Sequence, residues 1–188
     1  MSAPAKLFFS TIEVTKQAFY RSPLSYAIVN LKPIVPGHVL VIPTRPVPRI
    51  SDLTSSELTS LMESVKTVGT VVEKAYHGDG LTVACQDGPA AGQTIPHVHF
   101  HILPRKLQGD IFQPNRDAVY PAIEEAESEL HADLEQVAES LRRRRPVVGP
   151  LKMDADMERE PRELEEMVKE AEWLRSFFEA EKAAHRVD

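Results

Sequence analysis

Three of the chain's seven histidines, His97, His99 and His101, stand two residues apart in "GQTIPHVHFHILPRK", with Val98 and Phe100 between them. Side chains at i, i+2 and i+4 share one face of a strand, whereas a helix would turn residues two apart by roughly 200° and scatter the rings. The apolar residues between them suit a strand whose other face lies in a core. Three imidazoles held together allow three readings. As plain structure, each buried ring would need its own hydrogen-bond partners. As metal ligands, two of them could share zinc or copper. The outer pair, however, lies roughly 13 Å apart along an extended strand, while zinc needs its nitrogens within about 2.1 Å. His38 and Asp87 are the residues that could come close to complete such a site.

The third reading is nucleophilic attack on phosphorus. A neutral imidazole attacks when one nitrogen faces the substrate and the other donates to a fixed acceptor that sets the tautomer. With an ordinary pKa of about 6.5, much of it is neutral at pH 7. His99, flanked by His97 and His101, is the best-placed nucleophile. The preceding "CQDGPAAGQT" supplies Gln86 and Gln93 as neutral donors for phosphate oxygens, and Gly92 lets the backbone near Gln93 and Thr94 approach an anion. Such donors can stabilise developing phosphoryl charge without a metal held by the protein.

The elements that must hold these residues are legible on either side. Ser25 to Asn30 and His38 to Pro43 read as strands joined by the turn "LKPIVPG", an antiparallel pair. Ser51 or Thr54 can cap a helix of about 20 residues. On it Leu58, Leu61, Met62, Val65, Val68, Val72 and Ala75 recur at helical spacing until Gly78. "LTVACQDG" is a further strand before the histidine strand. From about Pro121 the chain becomes charged and helical, and "PVVGPLKMDADMEREP" reads as a flexible linker. A last helix, about Arg162 to Ala183, carries Leu164, Met167, Val168, Ala171, Leu174 and Phe178 on one side, with Trp173 and Phe177 beside that stripe.

At 188 residues the chain can bury a substantial single core. Its one cysteine, Cys85, excludes an intrachain disulfide and reads as an ordinary half-buried strand residue in a reducing compartment. No segment reaches the roughly 20 apolar residues of a membrane span, and "MSAPAKLFFSTIEV" lacks a leader pattern. The expectation is a soluble cytoplasmic protein, with the nucleus as a second location. A net charge of −6 argues against general polyanion binding, so no specific nucleic-acid partner is expected. The run Arg142 to Arg145 is a local exception, read as a solvated helix end or linker.

"HVHFHIL" resembles the His-φ-His-φ-His-φ-φ signature of the histidine-triad (HIT) superfamily. "VNLKPIVPGHVLVIP", "VGTVVEK" and "QDGPAAGQT" are similar to its fragile-histidine-triad branch, the dinucleoside-triphosphate hydrolases. The similarity runs from about Phe8 to Asp110, and the final helix resembles that branch's C-terminal helix. The resemblance implies an α+β, HIT-like fold: a curved antiparallel sheet of about five strands, two main helices and an extra helical C-terminal segment. It divides the chain into a catalytic domain (1–117), an acidic helical insertion with linker (118–161) and a C-terminal helix packed on the domain (162–188).

It also implies a homodimer that hydrolyses P1,P3-bis(5'-adenosyl) triphosphate to AMP and ADP. By position, His99 matches the nucleophile, His97, His101 and Gln93 its catalytic partners, and His38 a supporting histidine. Phe8, Asn30, Gln86, Gly92, Gln93, Thr94, Ile95 and His101 match substrate contacts. The resemblance implies no metal ligands and no protein-bound cofactor; magnesium or manganese would accompany the substrate phosphates. Thr11 stands where the branch commonly has a histidine, and Tyr120 falls near a tyrosine modified in some members. The segment from about Ala118 to Pro161 is longer than the branch's loop and reads as a lid or as surface decoration. Two rivals are a hydrolase of adenosine phosphoramidates or adenylyl sulfate, and a nucleotide-responsive signalling module.

Overall fold

The computed structural model describes residues 5–128, 130 and 162–184, with the side chains of 181–184 left aside. The sequence before the histidine strand opens with a small hairpin, β1 (Phe8–Phe9) and β2 (Ile12–Glu13), which the strand patterns noted above do not include. Then come β3 (Ala18–Arg21), β4 (Ser25–Val29) and β5 (Val39–Pro43), the last two antiparallel as expected. In the turn between them Gly37 has φ +81, a backbone that L side chains rarely adopt, and a Cβ there would lie 2.4 Å from the Tyr76 ring.

Helix α1 (Ser55–Ala75) begins at Thr54, whose side chain accepts from the Glu57 amide while Glu57 accepts from the Thr54 amide. This reciprocal cap satisfies two otherwise orphaned donors. Leu61, Val65, Val68 and Val72 are buried as expected, but Leu58 and Met62 are exposed. Met62 is turned about 100° from Leu61 onto the helix flank, and Leu58 lies in the opening turn, ahead of the buried apolar stretch.

β6 (Gly80–Ala84) and β7 (Phe100–Arg105) complete a five-stranded antiparallel sheet in the order β3-β4-β5-β7-β6. Alternation along β7 sends successive side chains to opposite layers. Ile102 joins the main core, beneath α1, while Leu103 joins a smaller cluster with Ile34, Val35, Val119 and Ile123. That second cluster holds α2, a helix whose described part covers 119–128. α3 (Leu164–Ala184) buries Met167, Ala171, Leu174 and Phe178 in the main core, against β3, β4 and α1. Met167, Leu174 and Phe178 each contribute about 1.5–3 kcal/mol on burial. The linker and the arginine run Arg142 to Arg145 lie outside the described residues. Among the described residues no helix is long and apolar enough to cross a membrane.

Candidate active site

The three triad histidines are buried, each with at most 1% of its surface exposed. Regular pairing in the histidine strand starts only at Phe100, so His97 and His99 precede the ladder instead of lying within it. The partner strand β5 ends at Pro43, and Val98 donates its amide to Val47 beyond that end. His99 and His101 remain neighbours, ring centroids 5.0 Å apart, while His97 is separately anchored.

Each ring's backbone or side-chain partners set its tautomer. The Ser10 amide donates to His97 Nδ1 (3.0 Å), so His97 carries its proton on Nε2 and donates it to the Pro43 carbonyl (2.9 Å). Ser10 reaches this point from the tip of the β1–β2 hairpin, in a left-handed conformation with φ 55. Burial pulls the His97 pKa down to about 4, so the ring is neutral at physiological pH. His99 donates Nδ1–H to the His97 carbonyl (2.8 Å), which turns Nε2 away from the sheet backbone and toward the helix that carries Glu127. Phe9 packs edge-on against His99 at 5.1 Å.

His38 connects a backbone donor to the last triad member. The Ile34 amide (3.3 Å) and the Asn30 side-chain amide (3.1 Å) both donate to His38 Nδ1, leaving Nε2–H to donate to His101 Nδ1 (2.9 Å). His101 therefore carries its remaining proton on Nε2, a buried atom without a hydrogen-bond partner. Burial, with His99 and His38 beside it, holds the His101 pKa well below the usual histidine value. It is a neutral donor awaiting an acceptor.

The loop before the triad contributes two more orphans. Gln93 accepts from the Gly88 amide (3.0 Å) but its buried Nε2 has no partner, and neither has Gln86 Oε1. Gly92, with φ +87, lies against Gln86: a Cβ there would sit 2.7 Å from Gln86 Nε2. Buried donors without acceptors cost about 1–3 kcal/mol each, so Gln93 Nε2–H and His101 Nε2–H are waiting for a ligand rich in acceptors.

Not every expected residue reaches this point. Phe8 is 41% exposed; Phe9, its neighbour, packs on the triad. Ile95 is fully buried in the main core. Asp87 is held by Arg49 and the Ile50 amide, away from any ligand role. Cys85 is half-buried, its thiol pushed up to about 11 mainly by burial, and so is unreactive at neutral pH. Asn30 is buried, its carbonyl accepting from Arg162 at the foot of α3.

One residue at the centre was missed by sequence reasoning. Glu127, on α2, is wholly buried, with Oε2 3.2 Å from His99 Nε2 and 3.8 Å from His101 Nε2. Its other oxygen accepts from the Thr94 amide (3.2 Å), and Thr94 Oγ1 donates to the Glu127 carbonyl (2.7 Å). Burial raises its pKa, but the hydrogen bond and charge of His99, with His101 and Thr94, outweigh that and hold it below the usual carboxylate value. A signal existed: Glu127 shares the helix stripe of Val119, Ile123 and Leu130, an acid among buried apolar residues. His99, His101 and Glu127 bring ligand atoms within 4.8 Å of one another. Two imidazoles and one carboxylate suit zinc; they do not suit magnesium, which favours oxygen ligands.

A five-stranded antiparallel sheet presenting three tautomer-locked histidines beside orphaned amide and imidazole donors defines a histidine-triad protein of α+β class. The HIT domain model matches residues 11–108, and the chain belongs to the HIT domain family. It is 47% identical to an asymmetrical bis(5'-nucleosyl)-tetraphosphatase of Schizosaccharomyces pombe, over 95% of this chain and 97% of that protein. It is 44% identical to the bifunctional bis(5'-adenosyl)-triphosphatase/adenylylsulfatase of Arabidopsis thaliana, over 87% of this chain and 79% of that one. Among solved structures, the C. elegans NitFhit protein superposes with a TM-score of 0.56 at 40% identity, over 69% of this chain and 31% of that chain. The Plasmodium falciparum diadenosine triphosphate hydrolase gives a TM-score of 0.65 at 23% identity, over 95% and 88%, and shares the fold.

Proposed function

We propose that this protein hydrolyses dinucleoside polyphosphates, with P1,P3-bis(5'-adenosyl) triphosphate cleaved to AMP and ADP through a covalent nucleotidyl-His99. His99 Nε2 forms a bond to the α-phosphorus as the bridging P–O bond breaks and ADP leaves. Water then attacks the same phosphorus, the N–P bond breaks, and AMP and free His99 result, one water being consumed overall. The observation that carries this reading is the relay Ile34 N–H to His38 to His101. It leaves a neutral, buried Nε2–H beside the nucleophile, where a phosphoryl oxygen can accept it. Gln93 Nε2–H is a second such donor. The names of the S. pombe and Arabidopsis relatives support dinucleotide hydrolysis.

The reading extends to a homodimer, a cytoplasmic and also nuclear location, and a divalent cation that travels with the substrate phosphates. The Arabidopsis relative's second named activity keeps adenylyl sulfate as a competing substrate, and the S. pombe relative's name adds the tetraphosphate.

The test is a brief incubation with α-32P-labelled diadenosine triphosphate, quenched by denaturation, beside His99→Asn. Acid-labile, alkali-stable label on the wild type and none on the variant is the expected result. Relative kcat/KM on the triphosphate, the tetraphosphate and adenylyl sulfate then ranks the substrates. Bound dinucleotide with neither label nor AMP release would leave the nucleotide-responsive signalling module as the better account.

A further inference from the structure

The nitrogen assigned to attack the substrate's α-phosphorus already faces a side chain of the protein. Glu127 faces His99 Nε2 at 3.2 Å and His101 Nε2 at 3.8 Å, and accepts from the Thr94 amide at 3.2 Å. A carboxylate presents oxygens of the same charge sign and hydrogen-bonding sense as a phosphate, so it can stand at the same place, with His101 Nε2 and Gln93 Nε2 still without a hydrogen bond. We propose that Glu127 is a built-in competitor for the substrate: its carboxylate stands in for the α-phosphate, and α2 must withdraw from the triad before a dinucleotide can reach His99.

Three further observations point the same way. His99 is 1% exposed with α2 in place, so no phosphorus atom can approach its Nε2. With Nδ1 donating to the His97 carbonyl, Nε2 is the nitrogen left to attack phosphorus, and it is the one that Glu127 Oε2 faces at 3.2 Å. Finally, the described part of α2 packs on the small second cluster through Val119 and Ile123, with Leu130 reaching the main core. Of the segment read from sequence as either lid or decoration, the described part, 119–128, is thereby assigned the part of a lid that blocks.

This inference rests on His99 being the nucleophile, and the experiment separates the two. In Glu127→Gln, diethylpyrocarbonate should modify His99 at least several-fold faster than in wild type, read by mass spectrometry without any nucleotide. The variant should also bind AMP more tightly and show a KM for the dinucleotide lower by roughly tenfold, about the effect of one charge-assisted hydrogen bond. In unaltered wild-type protein, saturating AMP should raise amide exchange across 119–128. Unchanged or slowed exchange with AMP bound overturns the proposal. So does a fall in kcat at constant KM in the variant, which would make Glu127 a proton-transfer group. A stoichiometric zinc ion in purified protein, lost in Glu127→Gln, would make the contact a metal site and equally overturn it. Faster His99 modification in a variant that shows no hydrolysis would fault the proposed reaction while leaving the plug standing.

Discussion

The two sides of the triad are built on different physics. Behind the rings, every nitrogen answers to a partner fixed by the sheet or its loops: Ser10 and Pro43 for His97, the His97 carbonyl for His99, and Ile34 through His38 for His101. In front, His99 and His101 meet a single carboxylate from α2, and Gln93 Nε2 meets nothing. The rear consists of neutral hydrogen bonds, mostly to backbone, which hold tautomers without charge. The front consists of one buried carboxylate and unsatisfied donors, whose place a phosphate can take. A rigid rear and a replaceable front allow a nucleophile to be preorganised and covered at the same time.

The largest effect should come from removing the group that both sides share. His99→Asn should lower kcat by roughly 10⁴-fold, as deletion of a covalent nucleophile does. A loss below about tenfold in AMP release would break the division at its centre.

The rear can be tested by pH. Folded protein keeps His97 unprotonated down to about pH 4, whereas the unfolded chain takes up a proton near 6.5. Between those values the unfolded state binds more protons, so stability is fully present above about pH 6.5 and is lost as the pH falls toward 4. The loss attributable to His97 should be about 3 kcal/mol in urea unfolding, and His97→Gln should flatten that slope. An equal slope in the variant would assign it elsewhere.

His38→Ala leaves His101 Nδ1 without its donor and frees the tautomer. kcat should drop roughly 10- to 100-fold, equivalent to the 1–3 kcal/mol of an unsatisfied buried group. If steady-state assays show kcat within twofold of wild type, the relay is structural only. The smallest effect tests whether stability and chemistry separate. Thr54→Ala removes the α1 cap and should cost about 1 kcal/mol by urea midpoint with kcat unchanged.

Much of this was legible from sequence because it is local. The capped helix α1, the β4–β5 pair and the shared face of His99 and His101 follow from periodicities of 3.6 and 2 within a few residues. The exposure of Leu58 and Met62 was not, because how much of a helical stripe is covered depends on what packs over it. Nor was the early end of the β5–β7 ladder, which depends on where the partner strand stops at Pro43.

Sequence alone determined that three imidazoles would gather beside a glycine-bearing, glutamine-rich loop, since chain direction and side-chain alternation require no distant partner. Tertiary structure decided what each imidazole does. Ser10 meets His97 across 87 residues, His38 meets His101 across 63 and Glu127 meets His99 across 28. Tautomer and charge are set by whichever atom lies within about 3 Å, and only the packed sheet and α2 bring those atoms there.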